Sequence, residues 1–101
     1  MDLVEATYRA SDSFPQREIY GLTGQIRRAA VSVPSNIAEG QGRFSRGEFK
    51  QFLGHARGSL FELETQLLIA QRLHFLDQPK PLLDMTSELS RIINGLIASL
   101  D

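Results

Sequence analysis

Tyr20-Gly21-Leu22-Thr23-Gly24-Gln25-Ile26-Arg27-Arg28-Ala29-Ala30-Val31-Ser32-Val33-Pro34-Ser35-Asn36-Ile37-Ala38-Glu39-Gly40, followed by Gly42-Arg43-Phe44-Ser45, is the stretch whose reading decides the fold. Leu22, Ile26, Ala29, Val33 and Ile37 recur at steps of three and four residues, which gathers them on one helical face. Thr23 is the predicted N-cap. Pro34 removes the bond to the Ala30 carbonyl and crowds it, so the helix either kinks there or ends. Ile37 keeps the phase set by Val33, which favours a kinked continuous helix. Gly40 and Gly42 are the predicted stop, in the left-handed conformation that suits glycine at a C-cap.

Beyond the turn, Ser45-Arg46-Gly47-Glu48 has the form of a capping box, with Ser at the N-cap and Glu three residues on. Phe49, Leu53, Ala56, Leu60, Leu63, Leu67 and Ala70 then follow alternating steps of four and three. That is a heptad seam, the pattern of antiparallel bundles with shallow crossing angles. Phe52, Phe61 and Leu68 flank it. A helix over Ser45–Leu73, about 28 residues at 1.5 Å each, is about 42 Å long. Gly54 and Gly58 share one of its faces. Since glycine costs about 1 kcal/mol against alanine in a helix interior, the pair predicts a close helix approach. The alternative is an exposed face that tolerates glycine.

Working outward, Leu3, Val4, Tyr8 and Phe14 mark a short first helix, broken by Ser11-Asp12-Ser13-Phe14-Pro15. Asp77-Gln78-Pro79-Lys80-Pro81 is the break before a fourth helix. That helix carries Leu82, Met85, Leu89, Ile92, Ile93, Leu96, Ile97 and Leu100, a stripe wide enough for one neighbour inside the chain and one outside it. There is no strand alternation and no internal repeat. Short breaks imply antiparallel neighbours. The predicted fold is all-α: one domain over residues 1–101, an antiparallel up-down-up-down four-helix bundle with a shortened first helix.

The chain has 101 residues, 42% hydrophobic and 23% charged, close to the globular average. It has no cysteine, which removes disulfides and thiolate chemistry. Its first residues lack the basic and apolar regions of a signal peptide, and no apolar run is long enough to span a bilayer. The expectation is a soluble, cytoplasmic protein without a membrane contact. The net charge of −1 hides an asymmetry. From Arg27 to Arg57, six basic residues (Arg27, Arg28, Arg43, Arg46, Lys50 and Arg57) face two acidic ones, Glu39 and Glu48, a net of +4. The remainder carries five basic and ten acidic residues, a net of −5. Such a segment is either an anion-binding surface or a solvated face with local ion pairs.

No catalytic constellation converges, and no metal or cofactor is expected. His55 and His74 are far apart in sequence, and neither a Glu-x-x-His pair nor a His-Glu-x-x-His helix is present. Gly40-Gln41-Gly42 precedes a helix but lacks the Lys-Ser/Thr of a phosphate loop. It reads as a turn, with a backbone anion site flanked by Arg43 and Arg46 as the alternative. A hairpin centred on residues 42–43 would set Glu39 opposite Arg46 and Arg28 opposite Arg57. The second pair repels unless an acid lies between. Glu62 is the internal candidate, and a phosphate or a carboxylate of another subunit the external one.

Several strings resemble a known family, the 23S rRNA-intervening-sequence (S23-type) proteins. They are Tyr20-Gly21-Leu22-Thr23, Gln25-Ile26-Arg27-Arg28-Ala29-Ala30-Val31-Ser32, Pro34-Ser35-Asn36-Ile37-Ala38-Glu39-Gly40, Gly42-Arg43, Glu48-Phe49, Phe52-Leu53, Gly58-Ser59-Leu60 and Glu62-Leu63-Glu64-Thr65-Gln66. The resemblance implies a small antiparallel four-helix bundle that assembles as a ring of five, with no established enzymatic activity. It also implies kinship with the accessory variability determinant of diversity-generating retroelements, a basic pentamer that binds nucleic acid and a reverse transcriptase. Members carry further residues ahead of the position of Leu3, and this chain departs from them there. Two functions are therefore expected. The first is a non-enzymatic homo-oligomer that binds RNA or DNA without sequence preference through Arg27, Arg28, Arg43, Arg46, Lys50 and Arg57. The second is an oligomeric protein-interaction scaffold in which those side chains are structural.

Overall fold

The heptad seam and its cap become the longest element of the molecule. The computed structural model describes residues 1–101. Four helices follow in order: α1 over Asp2–Ser11, α2 over Leu22–Gln41, α3 over Arg46–Arg72 and α4 over Lys80–Ser99. A 3-10 turn at Gln16–Glu18 lies between α1 and α2, and there is no strand. α3 has 27 residues, about 40 Å at 1.5 Å per residue, and so runs the length of a molecule 43 Å long. Ser45 caps it in extended backbone, its Oγ accepting from the Glu48 N–H at 3.1 Å. The Ser45 hydroxyl in turn donates to the Glu48 carboxylate at 3.2 Å.

Each helix packs antiparallel on its sequence neighbour, and α4 closes back on α1. The backbones of the diagonal pairs α1–α3 and α2–α4 lie farther apart. The core is centred on the α2–α3 seam, where Ile26, Ala29, Ala30 and Val33 are buried with Leu53, Ala56, Leu60, Leu63, Leu67 and Ala70. Ser32 and Ser59 join the two helices by a hydroxyl–hydroxyl bond of 2.8 Å. Asn36 Nδ2 supports it, donating to the Ser32 carbonyl at 2.8 Å and to Ser32 Oγ at 2.9 Å. α2 is continuous through Pro34.

Several expectations are corrected. Thr23 does not cap α2. It lies inside the helix, fully buried, and its Oγ1 has no partner. Gly21 holds the N-cap position, and Glu18 supplies the capping acceptor, with Leu22 N–H donating to its Oε1 at 3.2 Å. Neither Gly40 nor Gly42 is left-handed; Gly42 has φ −80° and no glycine has a positive φ. Gly40 serves packing instead. A Cβ there would lie 2.8 Å from Phe52 Cβ and 2.9 Å from Phe49 Cδ1, so the absence of a side chain lets α3 pack directly on α2 at this point. Gly54 and Gly58, where the close approach was expected, have open space around a built Cβ. The one left-handed residue is His74, φ 64°. It ends α3 in a Schellman arrangement: Phe75 N–H donates to the Ala70 carbonyl at 2.9 Å and His74 N–H to the Gln71 carbonyl at 3.0 Å.

The inner face of α1 is Leu3, Thr7 and Ser11, while Tyr8 stays on the surface. Both buried hydroxyls bond back along their own helix, Thr7 Oγ1 to the Leu3 carbonyl at 2.7 Å and Ser11 Oγ to the Thr7 carbonyl at 2.8 Å. α4 buries Leu82, Thr86 and Ile93. Met85 and Leu89 are partly covered by the start of α1, with which they form a groove, and Ile92 and Leu96 remain exposed. At the start of α4, Lys80 donates to Asp84 at 2.8 Å. That hydrogen bond, then the carboxylate's charge, raises the Lys80 ammonium above its ordinary pKa.

The two classes of helical glycine predict opposite outcomes. Gly40→Ala should lower unfolding stability by about 1–3 kcal/mol, the usual cost of overpacking. Gly58→Ala, measured at low micromolar protein, should raise it by about 0.5–1 kcal/mol. Urea unfolding of both variants checks the pair. Equal effects would mean that Gly40 is not a contact point.

Candidate functional site

The basic segment was expected to act as one surface, and the fold divides it. Arg27 and Arg28 lie near the start of α2, beside the C-terminal end of α1. Arg43, Arg46 and Lys50 gather at the α2–α3 turn. Sixteen residues separate Arg27 from Arg43 in sequence, about 24 Å along a helix. Arg57 lies between the two groups, on the α4 side of α3.

Arg27 is a clamp. Its Nε donates to Ser11 Oγ at 2.8 Å, its Nη2 to Asp12 Oδ1 at 3.1 Å, and its guanidinium lies 4.6 Å from the centre of the Tyr8 ring. Only 20% of the side chain is exposed. The three groups it meets belong to the last turn of α1 and its C-cap, where a cation also complements the helix dipole. Arg28, next to it, is exposed and has no carboxylate within ion-pair distance. It lines a shallow groove with Tyr8, Ile19, Gly24, Val31 and Ser32.

At the turn, Arg43 Nη2 pairs with Glu39 Oε1 at 2.6 Å and the guanidinium stacks 4.9 Å from the centre of the Phe52 ring. Lys50 pairs with Asp101. Arg46 is exposed and forms no ion pair. Three cations here (Arg43, Arg46 and Lys50) thus share the turn with three carboxylates (Glu39, Glu48 and Asp101). Phe44 stands fully exposed between Arg43 and Arg46. Arg57 Nη1 donates to Asn94 Oδ1 at 3.0 Å, tying α3 to α4.

The expected register of the α2–α3 hairpin is also corrected. A centre at residues 42–43 would place Leu53 opposite Ser32; the structure places Ser59 there. Glu39 accordingly pairs with Arg43 of its own turn and not with Arg46. The shift also separates Arg28 from Arg57, so the predicted repulsion does not arise. Glu62 bonds Gln66 Nε2 at 3.4 Å on its own helix instead of bridging two arginines.

Several functional partners escaped the sequence. Ser11, Asp12 and Tyr8 hold Arg27 from 15 to 19 residues away, Asn94 holds Arg57 from 37 away, and Asp101 holds Lys50 from 51 away. Only Arg43 with Glu39 carried a local signal, the four-residue helical spacing of an ion pair. Elsewhere, His55 packs edge-on against Phe52, ring centres 5.8 Å apart. No group of three or more His, Cys, Asp or Glu side chains is placed to hold a metal ion. No helix is long and apolar enough to cross a membrane.

These features define a small antiparallel four-helix bundle in which Arg27, Ser32 with Ser59, Lys50 and Arg57 tie one helix to another. The chain belongs to the family of 23S rRNA-intervening sequence proteins, whose family model matches residues 1–95. No curated protein matches the chain.

Removing the Arg27 clamp should loosen α1. Arg27→Met keeps the aliphatic stem and deletes the hydrogen bonds, and should cost about 1–2 kcal/mol. That range takes charge-assisted hydrogen bonds at about 1.5–3 kcal/mol and discounts the exposed Asp12 pair. Chemical unfolding measures it, and a loss below about 0.3 kcal/mol would show that Arg27 does not hold α1.

Proposed function

We propose that the protein is a non-enzymatic, self-associating interaction module of the cytoplasm, whose basic residues chiefly serve its own fold. One observation carries this reading: Arg27, Arg43, Lys50 and Arg57 each have a polar partner within the chain, which leaves Arg28 and Arg46 as the cations without one. At the turn, acids and bases balance. Nucleic-acid affinity of the sequence-independent kind grows with the number of phosphates that free Lys and Arg can neutralise, and each cation already paired reduces that number. The residues that carried the family resemblance support the same view. Ser32, Asn36, Gly40 and Ser59 join α2 to α3. Self-association into a homo-oligomer, a pentamer by the resemblance, is supported by the exposed Ile92 and Leu96 on α4.

A second reading rests on Phe44. An exposed aromatic ring between Arg43 and Arg46 has the composition of a stacking platform for a single strand. It would give weak, salt-sensitive binding to RNA or DNA, strengthened by repetition around an oligomer.

The variant Arg43→Ala/Arg46→Ala/Lys50→Ala separates the two readings. On the scaffold reading, the wild-type protein does not bind single-stranded or duplex RNA or DNA at about 50 mM salt. The triple variant then loses about 1 kcal/mol of stability with its surface ion pairs. On the second reading, wild-type protein binds, and the variant lowers both affinity and its salt slope at unchanged stability. Light scattering tests the assembly in parallel: a mass near 11.3 kDa, that of one chain, at micromolar concentration would rule out the oligomer.

A further inference from the structure

α3 carries a second heptad that faces away from the core. Gln51, Gly54, Gly58, Phe61, Thr65, Leu68 and Arg72 follow steps of three and four on the side opposite the buried seam, and Ile69 adjoins them. Between Gln51 and Arg72 this outward stripe has no ionisable residue. A solvated helix face normally carries charge there. Phe61 is 52% exposed, Leu68 49% and Ile69 43%. The Thr65 hydroxyl donates to the Phe61 carbonyl at 3.1 Å, so it asks for no outside partner. Around Gly54 and Gly58 nothing approaches within 4 Å of a built Cβ. α3 sits at the corner diagonal to α1, flanked by α2 and α4, so its outer stripe is free to meet another surface.

We infer that this stripe pairs with the same stripe of a second copy of the chain, α3 against α3, antiparallel about a twofold axis level with Ser59 and Leu60. Three features select that arrangement. The stripe is large at one end and small at the other. Antiparallel pairing sets Phe61 of each copy over Gly54 and Gly58 of the other, where a side chain would stand in the way. Parallel pairing in register would set Phe61 on Phe61 and leave the glycines facing a gap. The flanks are also self-complementary. On one side Arg57 and Glu64 stand one heptad apart, so the twofold axis brings Arg57 of each copy to Glu64 of the other. On the opposite side His55 meets Glu62 in the same way. Finally, an isologous contact needs only one self-complementary face.

The contact is modest in size. A face about 32 Å long, from Gln51 to Arg72, and about 10–12 Å wide, from the dimensions of a helix, covers about 320–380 Å² per chain. That is the size of a weak, transient contact, so the pairing depends on protein concentration. It joins one chain to one other, whether the two are single chains or belong to separate particles.

The absence of cysteine allows a direct test. Gly54→Cys and Thr65→Cys are made as separate variants and oxidised with copper phenanthroline, alone and as an equimolar mixture. The expected result is a covalent heterodimer in the mixture and little covalent dimer in either variant alone. Covalent dimers of each variant alone would indicate parallel pairing and overturn the inference, as would no covalent dimer anywhere. Light scattering against concentration gives the second measurement. The wild-type mass should rise with concentration, to twice the basal value if the basal particle is a single chain and beyond it if the particle carries several stripes. Phe61→Glu and Leu68→Glu should each raise the concentration needed for that growth at least tenfold while circular dichroism and the basal mass stay unchanged. Growth unaffected by both substitutions, or no growth up to about 1 mM, would overturn the pairing. The basal mass separately reports on the oligomer proposed above.

Discussion

The close approach of α2 and α3 is the constraint on which the remainder of the structure depends. The α3 seam, four leucines with Ala56 and Ala70, faces a surface of α2 that itself includes Ala29 and Ala30, and small residues at a contact bring helix axes together. Gly40 removes the last obstacle where Phe49 and Phe52 cross it. The Ser32–Ser59 bond then fixes how far one helix slides along the other. With that register set, Arg57 falls beside Asn94 and Lys50 beside Asp101, so α4 is placed by side chains that the hairpin has already positioned.

α1 is held by different means. Its inner face has one leucine and two hydroxyls, each hydroxyl satisfied by a carbonyl of its own helix. Such a face contributes less apolar burial than the α2–α3 seam does. Arg27 makes up part of the difference by gripping the end of α1 through a hydroxyl, a carboxylate and a ring. The same arginine that reads as surface charge in a list of residues is thus a structural bolt. This is why a charge excess along the chain did not become a charged face on the molecule.

α3 was legible almost to the residue, because a sustained heptad and a Ser cap are both local signals. The helix count and the break before α4 were legible for the same reason. What the sequence hid depends on distance along the chain. Thr7 and Ser11 look like surface residues until their hydroxyls are seen turned back on the helix. Thr23 looks like a cap, but Glu18 reaches the helix start first from the preceding 3-10 turn. The partners of Lys50 and Arg57 lie on α4 or just past its end, and a hairpin register several residues off moves each of them to a different neighbour. Gly40 gave the most misleading signal: glycine at a helix end suggests a left-handed stop, whereas here it serves contact, and the left-handed stop falls on His74.

The cyclic order of the helices has a consequence for how the chain acquires this structure. Every helix contact but one joins neighbours in sequence, and only α4 on α1 spans the chain. Loop-closure entropy is therefore met in small instalments until the last step, and chains dominated by such local contacts fold on the microsecond-to-millisecond scale. The α2–α3 hairpin can collapse with neither terminus in place. α1 and α4 then dock on opposite flanks, and their mutual contact is the last to gain from the rest.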